Sequence, residues 1–472
     1  MKHYPIYIGG EEVRTQQSKE VKAVYSGHIL GKISLALDQD IDQALEIGSK
    51  ATKVMRSLTA YEKRKILLEC KQLFEERFEE FAVTITQESG KTINESRAEM
   101  QRVISTFDYA SIEVMQMDGN MLAMDTHPSS ENFECLIKRY PKGLCTFITP
   151  FNFPVNLIAH KVAPAIAAGC PFIIKPSDKT PLCALMFAEV LKKSSLPKEA
   201  FSVLPCSNED SLKLVKDDRV KFLSFTGSEK IGWMLKKLAG KKSVCLELGG
   251  VASCIVYPDT NLEIASKEII SAAFSQAGQS CISLQKLYIH KDISNNLIQL
   301  IKREAEKIVM GDPLSPETKL GPMISNNSLS YIEDLVNKSL TRGSKIITGG
   351  KRVNNFYQAT IMRNVQNDDP LYANEVFAPL FIIEEFSDTD QVFEKINTSP
   401  YGIHVGIYSK DIQLAMKAWD KLECTGIIYG HVPTWRSDKM PYGGIKNSGC
   451  GREGIRYAIE EMSELKSLLI KK

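Results

Sequence analysis

Leu144-Cys145-Thr146-Phe147-Ile148-Thr149 runs into Pro150-Phe151-Asn152-Phe153-Pro154, then into an apolar stretch ending at Ala168, and then into Phe172-Ile173-Ile174-Lys175. A short apolar run, a proline-bounded turn, a helical segment and a second short apolar run form a strand-helix-strand unit. The same rhythm continues. Strands are predicted at Phe201–Leu204, Val220–Phe225 and Ser243–Leu248, with helices at Pro154–Ala168, Leu182–Lys193, Glu209–Val215 and Glu229–Ala239. Short strands alternating with helices predict a parallel sheet covered on both faces, an α/β fold. Ligands in such folds bind beyond the carboxyl ends of the strands.

Upstream, the chain is expected to open with helices at Ile41–Leu58 and Tyr61–Thr86. The capping box Thr92-Ile93-Asn94-Glu95 starts a third, ending near Gly119. Phe133 to Tyr140 alternates as a strand, either an arm that pairs with another subunit or a covered edge strand. Downstream, a second strand-helix run from Ser253 to about Tyr429 predicts a separate domain, and Leu465 to Ile470 closes the chain as a last strand.

With 472 residues the chain exceeds one ordinary core. A net charge of +2 gives no field that argues for nucleic acid or an anionic membrane. The 11 cysteines contain no C-x-x-C pair, which predicts free thiols in a reducing compartment, with no disulfide framework and no metal site. Prolines and charges interrupt the most apolar stretch, 144–174, so it is read as buried core. Met1 to Val13 lacks a signal-peptide core, and a cytoplasmic location is expected.

Five short stretches carry possible chemistry. In Ser275-Gln276-Ala277-Gly278-Gln279-Ser280-Cys281, a lone thiol follows a glycine turn, where exposed backbone N–H groups favour a thiolate and can hold an oxyanion. Judged on the thiol alone, the reading as a small buried core hydrophobe wins, and only the other stretches reverse it. Glu247-Leu248-Gly249-Gly250 ends an apolar strand with a carboxylate, either a desolvated general base or a solvated turn residue. Asn152 is either a helix cap or an amide aimed at an oxyanion. Phe225-Thr226-Gly227-Ser228 joins a strand to a helix N-terminus suited to phosphate, and Lys175-Pro176-Ser177-Asp178 suits ribose hydroxyls or phosphate.

Together with Asn374-Glu375-Val376-Phe377-Ala378-Pro379 and Pro441-Tyr442-Gly443-Gly444-Ile445-Lys446 through Glu453, these stretches closely resemble the aldehyde dehydrogenase superfamily. The interval of 34 residues from Glu247 to Cys281 also agrees. Val432-Pro433-Thr434 and Arg436 to Pro441 look most like its lactaldehyde and non-phosphorylating glyceraldehyde-3-phosphate dehydrogenase branch. The resemblance implies a Rossmann-type cofactor domain over 1–118 and 142–248, an α/β catalytic domain over 249–447, and a small β oligomerisation arm over 119–141 and 460–472, hence a homodimer or homotetramer. It implies NAD(P)-dependent oxidation of an aldehyde to its acid. Cys281 would be the nucleophile, Asn152 and the Cys281 N–H the oxyanion donors, and Glu247 the base that activates water. Thr149, Pro150, Lys175, Asp178, Gly227, Ser228, Leu248, Glu375 and Phe377 would bind the cofactor. Asp178, at the adenosine ribose, favours NAD over NADP. His160 and Arg436 would line the aldehyde tunnel and select a small polar aldehyde, such as lactaldehyde or a short semialdehyde. Ser280, where glyceraldehyde-3-phosphate enzymes of this type carry arginine, argues against a phosphorylated substrate. Departures from the family pattern are Asn374, Ala378, Cys254 and Gly430-His431. The alternatives are a CoA-acylating semialdehyde dehydrogenase, which typically lacks an acid at the Glu247 position, and a non-catalytic protein of the same fold.

Overall fold

The computed structural model describes residues 1–117 and 119–472. The expected boundary at 118 therefore falls on a residue outside the described ones.

The quoted unit folds as a strand, Cys145–Ile148, a helix, Asn156–Ala168, and a parallel neighbouring strand, Phe172–Lys175. It sits at the centre of an eight-stranded sheet. In spatial order the strands are Gly449–Cys450, Ser243–Glu247, Phe222–Thr226, Cys145–Ile148, Phe172–Lys175, Phe201–Val203, Ile6–Ile8 and Glu11–Val13. The five central strands are parallel and fully or largely buried, as strands covered on both faces must be. From Cys145–Ile148 the chain winds outward first toward Phe201–Val203 and later, from Phe222, in the opposite direction. The crevice at this reversal, between Ile148 and Thr226, is where a doubly wound sheet binds its ligand.

A second sheet of seven strands holds the downstream run, in the order Lys345–Thr348, Thr360–Arg363, Leu380–Phe386, Leu284–His290, Ala252–Val256, His404–Tyr408 and Gly426–Tyr429. All its pairings are parallel except the first. A third sheet pairs Ser463–Lys471 with Phe133–Pro141 along nine antiparallel positions and adds Asn120–Leu122.

Three expectations change. The chain opens with five short strands, His3–Tyr4, Ile6–Ile8, Glu11–Val13, Ser18–Lys22 and Ile29–Ser34, ahead of the helix Asp38–Ser57. Each is two to six residues long, too short for a clear period; they pair mostly with one another, and only Ile6–Ile8 also reaches a distant strand, Tyr7 on Val203. The expected helix Tyr61–Thr86 is two helices, Ala60–Glu76 and Phe78–Ser89, broken at Arg77 (φ −106°, ψ 17°). Glu209–Val215 contributes only the single helical turn Leu212–Lys216.

The helix Asn156–Ala168 is buried on every side, so its N-terminus needs a partner from elsewhere in the protein. Glu99 supplies it, accepting from the N–H groups of Val155 and Asn156 at 3.0 Å each, and it is itself paired with the buried Lys91. This bracing holds the loop 149–155 at the sheet's crevice.

Candidate active site

A cavity of about 490 Å³ opens where the crevice of the first sheet meets the second. Its wall includes Asn152, Glu247, Cys281, Arg436 and Tyr442, residues spread over almost 300 positions of sequence.

Cys281 follows a backbone that few residues tolerate. Gln276 (φ 54°), Ala277 (φ 53°) and Gly278 (φ 68°) are successive left-handed residues after the helix Leu262–Phe274. Two of the three are not glycine, and such strain persists only where surrounding contacts over-determine it. Those contacts are present: Glu95 accepts from the Gln276 N–H at 2.6 Å, and the Gln276 amide donates to the Asn152 carbonyl. At Gly278 a Cβ would run into the Ala378 carbonyl oxygen. Asn152 is not a helix cap; its Nδ2 donates to the Gln279 carbonyl at 3.0 Å and its Oδ1 has no hydrogen-bond partner among the described residues. The loops 149–154 and 275–281 therefore lock each other in place.

The Cys281 sulfur is hydrogen-bonded to the Tyr442 hydroxyl at 2.9 Å, and burial pushes its thiol up to about 12. Glu247 ends its strand with both carboxylate oxygens buried and, among the described residues, without a hydrogen-bond partner. Burial, and then the neighbouring Glu453, hold its carboxyl well above the usual range, so it is not a solvated turn residue. Burial alone would raise Glu453 as well, but the Lys161 and Arg436 cations keep it low. Lys161 reaches both Glu453 (2.9 Å) and Ser224 (2.7 Å) beneath the cavity.

Arg436 is buried at the cavity wall. Its guanidinium lies over the Tyr442 ring, 3.6 Å from the centroid, and 3.7 Å from Glu453, while Nε and Nη2 have no hydrogen-bond partner among the described residues. It does not pair with Asp438, which is taken by Arg102 and His160. His160 departs from expectation. Its Nε2 binds Asp438 at 2.9 Å, and the ring is absent from the cavity lining and stays behind the wall. Burial and the Arg436 cation lower its pKa, so the imidazole is neutral.

Pro150, Gly227, Ser228, Leu248, Glu375 and Phe377 all line the same cavity. Ser228 precedes the helix Glu229–Leu238 without a side-chain cap bond, so that helix's N–H groups stay available to an anion. Glu375, which accepts from the Gly250 N–H at 2.9 Å, is pushed up to about 7 by burial. A Cβ at Gly249 would stand 2.5 Å from the Glu375 carboxylate, so only glycine lets that acid approach. Phe377 (φ 52°) packs edge-on to Phe151. The buried Thr149 joins Lys175 by a backbone bond of 3.1 Å, and neither residue reaches the lining. Lys175 binds Asn208 at 2.7 Å, and the exposed Asp178 pairs with Lys19 at 3.4 Å. A free helix N-terminus, a glycine cradle and an inward carboxylate fit the phosphates and ribose of a dinucleotide.

The family profile for the aldehyde dehydrogenase family matches residues 12–468. The chain belongs to the aldehyde dehydrogenase family. This aldehyde dehydrogenase is 37% identical over 471 residues to 3-sulfolactaldehyde dehydrogenase of Priestia aryabhattai, covering 100% of this chain and 98% of the relative. It is 35% identical to lactaldehyde dehydrogenase of Methanococcus aeolicus, covering 98% and 99%. Among solved structures it is similar to aldehyde dehydrogenase 21 of Physcomitrella patens in complex with the product succinate (38% identity, TM-score 0.98, covering 100% and 98%). It also resembles glyceraldehyde-3-phosphate dehydrogenase of Methanocaldococcus jannaschii complexed with NADP (33%, TM-score 0.92, covering 97% and 100%). The protein is an NAD(P)-dependent oxidoreductase that acts on a small-molecule aldehyde.

Arg102, Tyr442 and Glu453 complete the wall but had no assigned role in the sequence. Tyr442 and Glu453 stood in a motif, and only the fold revealed what they touch. Arg102 lies in a helix far from any motif, and no local signal marks it.

Proposed function

We propose that this aldehyde dehydrogenase oxidises a small polar aldehyde, of the lactaldehyde or short-semialdehyde kind, to its carboxylic acid through a thioester on Cys281. The carrying observation is a buried guanidinium, ion-paired with Glu453 at 3.7 Å, of which two nitrogens make no hydrogen bond among the described residues and which shares one cavity with the thiol and Glu247. Buried donors left unpaired select substrates that satisfy them. A carboxylate, sulfonate or hydroxyl one or two carbons from the aldehyde would do so. The names of the relatives point the same way: sulfolactaldehyde, lactaldehyde, and succinate as a bound product.

The Cys281 thiolate adds to the aldehyde carbon, and the carbonyl oxygen becomes an oxyanion held by the second N–H of the Asn152 amide and the Cys281 backbone N–H. A nicotinamide cofactor held by Ser228, Glu375 and Phe377 would supply the hydride acceptor needed for the thiohemiacetal on Cys281 to become a thioester. Glu247, deprotonated, takes a proton from water as that water attacks the thioester carbon, releasing the acid and the Cys281 thiolate. Glu247 favours hydrolysis over acyl transfer to CoA. Residues 1–118 and 142–248 would carry the cofactor, 249–447 the catalytic residues, and 119–141 with 460–472 an oligomerisation arm, in a cytoplasmic enzyme. Asp178 disfavours a 2′-phosphate by like charge, so NAD is the preferred acceptor.

The test is kcat/KM for a panel of aldehydes with each nicotinamide. Lactaldehyde, succinic semialdehyde and sulfolactaldehyde should exceed both benzaldehyde and glyceraldehyde 3-phosphate, and NAD should exceed NADP. A preference for benzaldehyde would refute the substrate reading, and a clear preference for NADP would refute the cofactor reading.

A further inference from the structure

Beside the nucleophile stands a phenol that the mechanism above leaves idle. Tyr442 is buried, and its hydroxyl is 2.9 Å from the Cys281 sulfur. The ring is held on all sides. Its backbone pairs with Glu453 in both directions, at 2.9 and 2.7 Å. The Arg436 guanidinium covers one face, and the His404 ring meets it edge-on at 5.4 Å. His404 is itself fixed by a 2.9 Å hydrogen bond to the Pro433 carbonyl. A side chain clamped in this way points its hydroxyl at the sulfur without further ordering.

The charges around the sulfur make that hydroxyl consequential. Burial opposes negative charge on Cys281 most strongly, and Glu375 and Glu247 oppose it too whenever they are ionised. Working the other way are the Tyr442 hydrogen bond and the Arg436 cation. Burial also drives the Tyr442 phenol upward, so it keeps its own proton when the thiol loses one. A thiolate has no proton to give, so in that state the phenol is the donor.

We propose that Tyr442 is a catalytic residue of this enzyme, donating its O–H to the Cys281 sulfur and stabilising the thiolate that attacks the aldehyde. The thiol proton passes to solvent and the tyrosine proton stays on oxygen. Arg436, stacked on the ring, polarises the phenol and strengthens the donor, so one cation serves both the substrate's polar group and the nucleophile. As the sulfur becomes bonded to carbon its charge disappears, and the hydrogen bond weakens. The effect therefore belongs to formation of the nucleophile and not to release of the acid.

This inference rests on Cys281 being the nucleophile, and the experiment separates the two. Alkylation of Cys281 by iodoacetamide is followed by peptide mass spectrometry across a pH series, in wild type and Tyr442→Phe. Phenylalanine keeps the ring, the stacking and the fold and removes one hydroxyl. Loss of a hydrogen bond to a charged sulfur should slow alkylation near neutral pH by about tenfold and move the midpoint of its pH profile upward by about one unit. Fluorotyrosine at position 442, a more acidic phenol of nearly the same shape, should shift the midpoint downward. The ratio of kcat/KM for polar over apolar aldehydes should stay at the wild-type value, because Arg436 keeps its place. An unchanged alkylation profile in Tyr442→Phe, with Cys281→Ser inactive, would overturn the role of Tyr442 alone. Full turnover by Cys281→Ser would overturn the nucleophile and this inference together.

Discussion

Replacing Cys281 by serine preserves the size of the side chain but leaves a hydroxyl, a far weaker nucleophile near neutral pH, so dehydrogenase turnover should vanish. Glu247→Gln should act later in the cycle. Acylation should survive and hydrolysis should slow, so a rapid-mixing experiment should show a burst of reduced cofactor followed by a reduced steady rate. Because burial and Glu453 raise the Glu247 carboxyl, its base form grows as pH rises through that raised value. The hydrolysis-limited rate of wild type should therefore climb with pH, and the Gln variant should lose that limb. On the proposed reading Arg436 selects the substrate. Arg436→Leu should lose on the order of 1–3 kcal/mol of transition-state binding for lactaldehyde or succinic semialdehyde, the scale of a charge-assisted hydrogen bond. It should lose little for an apolar aldehyde of similar size. The same kcat/KM ratio as wild type would remove Arg436 from the role of selector.

At the scale of elements, helix ends carry much of the design. The helix Pro181–Lys193 has no cap bond from its own Thr180, and the buried Glu88, at the end of Phe78–Ser89, supplies one instead. It accepts from the N–H groups of Leu182 and Cys183 at 2.8 Å each. Burial raises this carboxyl to about 7. Folding therefore favours its protonated form. That stabilisation is complete below the ordinary carboxylate value and is lost as pH rises through the folded value. Wild type should lose more stability than Glu88→Gln between about pH 5 and pH 8, measured as the shift in urea midpoint. Equal losses would show that Glu88 is not the group responsible.

Over the whole molecule, the third sheet stands apart from the chemistry, since none of its residues lines the cavity. The strand Ser463–Lys471 is exposed along nearly its whole length, and Leu465, Leu468, Leu469 and Ile470 turn apolar surface outward beside Leu136, Met121 and Leu122. An exposed apolar sheet of this kind is suited to covering by a second subunit. Deleting the last eight residues should lower the mass seen by light scattering at micromolar concentration while cofactor binding persists. A full-length protein already monomeric under those conditions would refute the assembly.

The strand-helix alternation from Leu144 onward and the motif residues were legible in the chain because both are local. A period of apolar residues needs no knowledge of partners, and a glycine turn before a cysteine marks itself. The same locality explains what was missed. The opening strands are too short for a clear period, one of them also pairs with the distant Val203, and Arg77 breaks a helix whose apolar period runs on without interruption. Whether Asn152 caps a helix or aims its amide at an oxyanion was open in the sequence; the structure removes the cap reading, because Nδ2 donates to the Gln279 carbonyl. His160 and Arg436 were both expected in the tunnel; Asp438 draws His160 behind the wall, while Arg436 stays in the cavity with Nε and Nη2 making no hydrogen bond among the described residues. Which groups share a low-dielectric space, and so shift one another's charge, depends on three-dimensional proximity, and that is settled only when the two sheets close on each other.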